Sequence, residues 1–454
     1  MTRRDIDHAL VTAVEKAALP LTGAVNDYDA VVNAASGKKF ILIGEASHGT
    51  KEFYAVRADI TRRLIQEQGF DAVAVEADWP DAYAVNRYVS LEGGAASAQE
   101  SLDGFERFPT WMWRNTEVLH FINWLHGWNA EFRRPGSKNK YPVGFYGLDL
   151  YSMNTSIHSV IAYLNRIDPA AAERARERYG CLDHFMDNPQ AYGYAAESGL
   201  AESCEKEIVM QLLDMQRRAC VDAERNGFAA RDEYFCATQN ARLVKNAEQY
   251  YRSMFSGRRN SWNIRDRHMF ETLQDLSGHL GRRKSREAKI IVWAHNSHIG
   301  NAAATEMGQR GEFNIGQLAC EAHGADALLV GFSTTHGTVT AASNWDEPAE
   351  CKNVNLPFPG SYEEAFHHVK HKKFLLDLRE NNDAVDLLME PRLQRAIGVI
   401  YRPMTERQSH YLNARLPEQF DFMIHLDSTT AVQPLETVPR WRRGEMDETC
   451  PFGI

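Results

Sequence analysis

The stretch "KFILIGEASHGTKEFYAVRADITRRLIQEQGFDAVAVE", residues 39–76, decides the fold. Its first segment, "FILI", is apolar without alternation, as a strand buried on both faces requires. From Thr50 the period changes. Phe53, Val56, Ile60 and Leu64 recur at spacings of three and four, which is one face of a helix. A second apolar run, "DAVAVE" (71–76), follows Gly69. Strand, helix and strand in this order call for parallel strands joined by right-handed crossovers.

Working outward, further runs of strand length are "YPVGFYG" (141–147), "KIIVWA" (289–294), "DALLVGFS" (326–333), "KFLLDL" (373–378), "IGVIY" (397–401) and "DFMIHL" (421–426). Between about residues 156 and 284 the strand signal vanishes and helical periodicity takes over. The expected fold is therefore α/β: a three-layer α/β/α core with a mostly parallel, or mixed, sheet. The core is assigned to 1–155 and 285–454, and a helical insertion, 156–284, to the space over the strand carboxyl ends.

The chain has 454 residues, 44% of them hydrophobic and 25% charged, ordinary values for a globular protein. A net charge of −10 speaks against nucleic acid as a partner. The one dense basic run, "GRRKSR" (281–286), reads as a solvated loop. Seven cysteines stand singly without a CxxC pair, which argues against a disulfide framework and a zinc ribbon. The N-terminal segment carries Asp5, Asp7 and Glu15 among its apolar residues, so it reads as an amphipathic helix rather than a signal peptide. No apolar run is long enough to span a membrane. A cytoplasmic location and no membrane partner are expected.

In open α/β sheets, ligands bind beyond the carboxyl ends of the strands. Here those ends deliver Glu45 and His48 after the first run, Glu76 and Asp78 after the second, Asp149 in "YGLDLY", and His295 and His298 in "AHNSH". Arg57 lies beside the helix stripe, placed either for a surface ion pair or for the strand ends. Glu76 stands out, because glutamate is rarely buried unless paired. His295 and His298, three apart, could share one face of a turn. The tryptophans of "WMWRNTEVLHFINWLHGWN" (111–129) serve either core packing or an aromatic wall for a bulky ligand. No G-x-S-x-G, G-x-G-x-x-G, P-loop or H-E-x-x-H occurs. What remains is a His/Glu/Arg set without a side-chain nucleophile, which suits activation of water. A histidine of ordinary pKa (~6.5) takes a proton at neutral pH, an effect worth ~10²–10⁴-fold.

"GEASHGTKEFYAVRADITRRLI", "AVEADWPDAYAVNRYV", "FYGLDLYS", "RDRHM" and "VWAHNSHIG" together resemble the erythromycin esterase family. That family sits in a wider α/β/α superfamily with a haem-binding lipoprotein and metal-dependent peptidases. "SHYLNARLPEQFDFMIHLDSTTAVQPL" and the ending "WRRGEMDETCPFGI" (441–454) resemble the family's C-terminal part. The resemblance implies a hydrolase that opens a macrocyclic lactone, such as a macrolide antibiotic, with water, giving resistance, and that works without a metal or other cofactor. It implies His48 as general base, Glu45 and Glu76 as site carboxylates and Arg57 as the helix arginine. His295 is implied to assist proton transfer, with His298 and Arg265 on the substrate side and Arg267 as the alternative to Arg265. Two other readings use the same residues. Glu45, His48, Glu76, His295 and His298 have the chemistry of metal ligands, and the tryptophans would suit a non-catalytic binder of haem or another bulky ligand.

Overall fold

A computed structural model describes residues 7–131, 141–185, 188–222 and 228–437. The ending quoted above, residues 441–454, lies outside them. Among the described residues the strands are β1 (Leu19–Pro20), β2 (Phe40–Ile43), β3 (Ala72–Asp78), β4 (Gly144–Asp149), β5 (Ile290–Trp293), β6 (Ala327–Ala341), β7 (Glu350–Val354), β8 (Lys373–Asp377), β9 (Arg392–Arg395), β10 (Tyr411–Ala414) and β11 (Phe422–Thr429). Nine build one sheet in the order β1-β8-β11-β6-β2-β5-β3-β4, with β7 paired to β6 off that path. The run from β11 to β4 is parallel throughout, while β1, β7 and β8 pair antiparallel. The fold is thus a mixed α/β sheet, mostly parallel, as the sequence led us to expect.

The apolar runs do not alternate because both faces are covered. Phe40 and Leu42 pack into one core cluster and Ile41 and Ile43 into the other, and β5 divides likewise, with Ile290 and Val292 opposed to Ile291 and Trp293. Burying such a side chain contributes roughly 1.5–3 kcal/mol, so neither parity tolerates a polar residue. Helix Lys51–Gln68 runs from β2 and stops at Gly69, whose φ of 68° ends it in the left-handed conformation. β2 and β3 are parallel but not adjacent, since β5 lies between them and pairs with both.

Helices fill the chain from Met153 to Lys284, with no strand among the described residues of that stretch. The basic run at 281–286 is not a solvated loop. It straddles the end of helix Arg258–Lys284, and Lys284 and Arg286 each lie 2.6 Å from Asp71, a buried carboxylate just ahead of β3. A buried charge needs such partners. Cys181 and Cys204 form a disulfide across 23 residues, a pairing hidden from the sequence because helical segments, not a CxxC spacing, bring the two together. Residues 397–401 are not a strand either. Ile397 bridges to Ser47 and Ile400 to Ala342, and a segment shared between two partners forms no ladder. Among the described residues no helix is long and apolar enough to cross a membrane.

Candidate active site

The loop after β2 is held by close backbone approach. A Cβ on Gly44 would stand 2.1 Å from Asn296 Oδ1, and one on Gly49 would stand 1.8 Å from the Thr340 carbonyl oxygen. Only glycine fits at either position. The loop is then pinned from several sides. Thr340 and Val432 donate backbone N–H bonds to Gly49, Ile397 donates to Ala46, and the Tyr54 hydroxyl donates to the His48 carbonyl at 2.8 Å. Ser47 bonds Thr50 rather than facing a substrate.

This geometry aims Glu45 at His48. The His48 Nδ1–H donates to Glu45 Oε1 at 2.8 Å, and the other Glu45 oxygen lies 2.6 Å from Arg57 Nη2. Glu45 therefore fixes the His48 tautomer and leaves Nε2 as the acceptor. Arg57 is fully buried on the inward face of its helix, with the rings of Tyr54 and Trp293 4.5 and 5.1 Å from its guanidinium carbon. It does not line the cavity, and neither does Glu45. Of the two placements the helix stripe left open, the surface ion pair is excluded by this burial. Arg57 instead stands behind Glu45 and acts through it.

A second network closes the opposite wall. Glu76, near the end of β3, accepts from Arg265 Nη2 at 2.8 Å and from the His295 backbone N–H at 2.9 Å. Burial alone would raise its carboxyl. His298, His48 and Arg265 outweigh burial and hold it well below the usual carboxylate range. Arg265 grips Asp149 with two N–H donors, at 3.0 and 2.7 Å. Of the two candidate arginines it is Arg265 that enters the site, while Arg267 lies over Phe313. His298, three residues beyond His295, lines the same cavity. Its Nδ1–H donates to Asp266 at 2.9 Å and its ring stacks on Trp262, 4.6 Å away and 6° from parallel. Burial would lower His298, but Asp266 and then Glu76 turn the shift upward.

His295 caps the short helix Asn296–Ile299 and faces His48, with ring centroids 4.8 Å apart. Its Nδ1 accepts the Ser297 backbone N–H at 3.2 Å, which puts the proton on Nε2. That Nε2 is buried without a protein partner. Burial, with His48 beside it, pushes the His295 pKa down to about 3, so the ring is a neutral N–H donor.

These residues floor a cavity of about 380 Å³. His48, Glu76, Asp149, Arg265, His295 and His298 lie on its surface, and Phe105, Met112, Trp113, Met307, Trp345 and Val399 supply apolar area. Trp113 lines the cavity and, like Trp111, belongs to the core, so the tryptophan segment serves packing and wall together. Among the cavity residues that escaped the reading of the sequence are Arg107, Tyr151 and Asp81. Arg107 donates to Asp78 at 2.9 Å, the Tyr151 ring lies beside both Arg107 and Arg265, and Asp81 opens the helix Trp79–Val89. Burial, and then neighbouring Asp78, pushes Asp81 up to about 8. As a metal cradle the site is poorly disposed. The oxygens of Glu45 and Glu76 are taken by His48, Arg57, Arg265 and a backbone N–H, which leaves His48 Nε2 and His295 Nε2 as the uncommitted nitrogens.

A family model described as erythromycin esterase matches residues 65–429. Among curated proteins, YbfO of Bacillus subtilis (strain 168), which carries a provisional hydrolase name, is 21% identical over 92% of this chain and 90% of its own length. Erythromycin esterase type II of Escherichia coli is 22% identical over 70% of this chain and 74% of its own. Among solved structures, a Bacillus cereus protein superposes with a TM-score of 0.77 at 22% identity, over 94% of this chain and 98% of that one. A mutant of the erythromycin esterase EreC in its open conformation gives 0.66 at 16%, over 96% and 100%.

Proposed function

The chain belongs to the erythromycin esterase family, and from that premise we propose that it is a hydrolase that opens an ester or lactone with a water activated by His48. The observation that carries this reading is the facing pair at the cavity floor. His48 presents an acceptor Nε2, its tautomer held by Glu45, while His295 presents a donor Nε2–H. A base and a neutral donor side by side, within reach of one carbonyl, are what acyl transfer to water needs.

In this mechanism His48 Nε2 takes a proton from water as the water oxygen attacks the carbonyl carbon. The carbonyl oxygen gains the negative charge and accepts the His295 Nε2–H. Collapse of the tetrahedral intermediate breaks the C–O bond, and the proton on His48 passes to the departing alkoxide. Carboxylic acid and alcohol result, the acid then ionising by giving its proton to solvent, with no covalent enzyme intermediate. Arg57 and Glu45 position His48. Arg265, held by Asp149 and Glu76, and His298 form the wall against which the substrate's acyl or alkoxy portion rests. A resident metal is not part of this proposal, since the carboxylates that would bind one are committed to arginine and histidine.

The volume bears on the substrate. About 380 Å³ is at the small end of ligand cavities, which run ~300–1,000 Å³. A macrocyclic lactone remains within the proposed class only if the rim around Trp345 and residues 398–412 yields, so smaller lactones and simple esters belong in the same panel. The test is hydrolysis of that panel by wild type and His48→Asn, each with and without chelator. Turnover that needs His48 and ignores chelator supports the proposal. Turnover abolished by chelator and restored by a metal ion overturns it in favour of a metallohydrolase, and a protein inert toward every substrate returns the binding reading.

A further inference from the structure

Away from the cavity, on the side of the sheet where β6, β11 and β8 meet, we infer that His336, His367 and Asp427 form a binding site for a first-row divalent cation, zinc above all. One nitrogen from each imidazole and one Asp427 oxygen all lie within 4.8 Å of one another. The three come from different elements. His336 is on β6 and Asp427 on β11, where the register pairing Ser428 with His336 sets them one residue apart across the ladder. His367 is the last residue of helix Tyr362–His367. None of the three lines the catalytic cavity.

Chemistry and surroundings both favour a cation. Two imidazoles and a carboxylate are a standard donor set for zinc and its neighbours, with water filling the open position. His336 Nδ1 is buried with no partner in the protein. Asp427 is buried and already holds His367 Nδ1 at 2.7 Å. Behind it stands fully buried His425, whose Nδ1 lies 2.8 Å from the Ser333 hydroxyl and whose Nε2 lies 3.7 Å from Asp427 Oδ1. A ligand carboxylate steadied by a further histidine and hydroxyl is the support such sites carry. Ligands on a tetrahedral ion at ~2.0–2.2 Å stand about 3.4 Å apart, so the two half-exposed imidazoles must turn slightly inward. The cation displaces the proton that His367 now shares with Asp427, and Lys372, whose Nζ is 4.0 Å from Asp427 Oδ2, swings into solvent.

The test uses the full chain, stripped with chelator, dialysed and titrated calorimetrically with Zn²⁺, and separately with Co²⁺ followed by its d–d absorption. Wild type is expected to bind one equivalent at this site and to melt at a higher temperature with Zn²⁺ present. His336→Ala and Asp427→Asn should lose that equivalent. Ser333→Ala, which frees His425, should weaken it by ~10–100-fold, while His295→Asn in the cavity should keep it. Should Asp427→Asn fail to fold, His336→Ala decides, because that ring is half exposed. A wild type that takes up neither ion overturns the inference. So does an equivalent, or a Co²⁺ spectrum, that survives His336→Ala or disappears with His295→Asn.

Discussion

His48 and His295 face one another across 4.8 Å with their protons on different nitrogens. Glu45 holds the proton of one on Nδ1, and the Ser297 amide holds the proton of the other on Nε2. Two imidazoles of one residue type thus take opposite parts, acceptor and donor, through hydrogen bonds made at their far sides.

Removing the acceptor tests the first part. His48→Asn is expected to lower kcat by ~10²–10⁴-fold with KM little changed, since a general base acts in the transition state. Steady-state kinetics on whichever ester or lactone proves a substrate, with circular dichroism to confirm folding, provides the check. A loss confined to KM would move His48 to substrate binding.

Arg57 is a matter of stability first. Arg57→Ala leaves Glu45 buried without its cation, and breaking a buried pair from one side costs ~3–5 kcal/mol. Urea unfolding of the variant should show that deficit in its midpoint. If it unfolds like wild type, Glu45 has found another partner.

Asp81 makes a pH prediction. With its pKa pushed up to about 8, it is protonated at neutral pH and becomes a second negative charge beside Asp78 above that value. Asp81→Asn should therefore behave like wild type near pH 7 and erase any limb that the wild-type pH–rate profile shows near pH 8. A variant already impaired at pH 6 would count against a carboxyl that rests there neutral and replaceable by an amide.

Buried histidines set the acid side of stability. Burial pushes His268 and His295 down to about 3 in the folded chain, against 6.5 for the ordinary group. Between those values the unfolded chain binds protons that the folded chain refuses. The contribution is whole above pH 6.5 and falls as pH drops toward 3, by about 1.4 kcal/mol per pH unit for each group. Denaturation at pH 4.5 and 6.5 should give a smaller difference for His268→Gln than for wild type, and an unchanged difference would count against this assignment.

How far the residues alone led follows from burial. β2, β3, β5, β6, β8 and β11 announce themselves as apolar runs because apolar packing presses on both of their faces. β7, β9 and β10, "ECKNV", "RLQR" and "YLNA", are rich in polar residues and only partly buried, and give no such signal. At the site, the strand-end rule found Glu45, His48, Glu76, Asp149, His295 and His298 because each follows directly on an apolar run. Asp266 and Trp262 come from a helix remote in sequence, and only the packing of that helix brings them to His298. Arg57 was legible as a position on a helix face. Its place behind Glu45 was not, since that depends on the path of the loop from Gly44 to Thr50.

The interposition of β5 between β2 and β3 also has a meaning for synthesis. When the first 150 residues have left the ribosome, β2 and β3 exist as sequence, but the strand that bridges them is still some 140 residues away. Glu45, His48 and Glu76 cannot be brought into register until Ile290–His298 arrives, carrying with it the two histidines of the opposite wall. Assembly of the sheet and assembly of the site are one late event, built on contacts of long sequence separation. A nascent chain released before that point would hold Glu45, His48 and Arg57, but neither the imidazole that faces His48 nor the backbone N–H that Glu76 accepts.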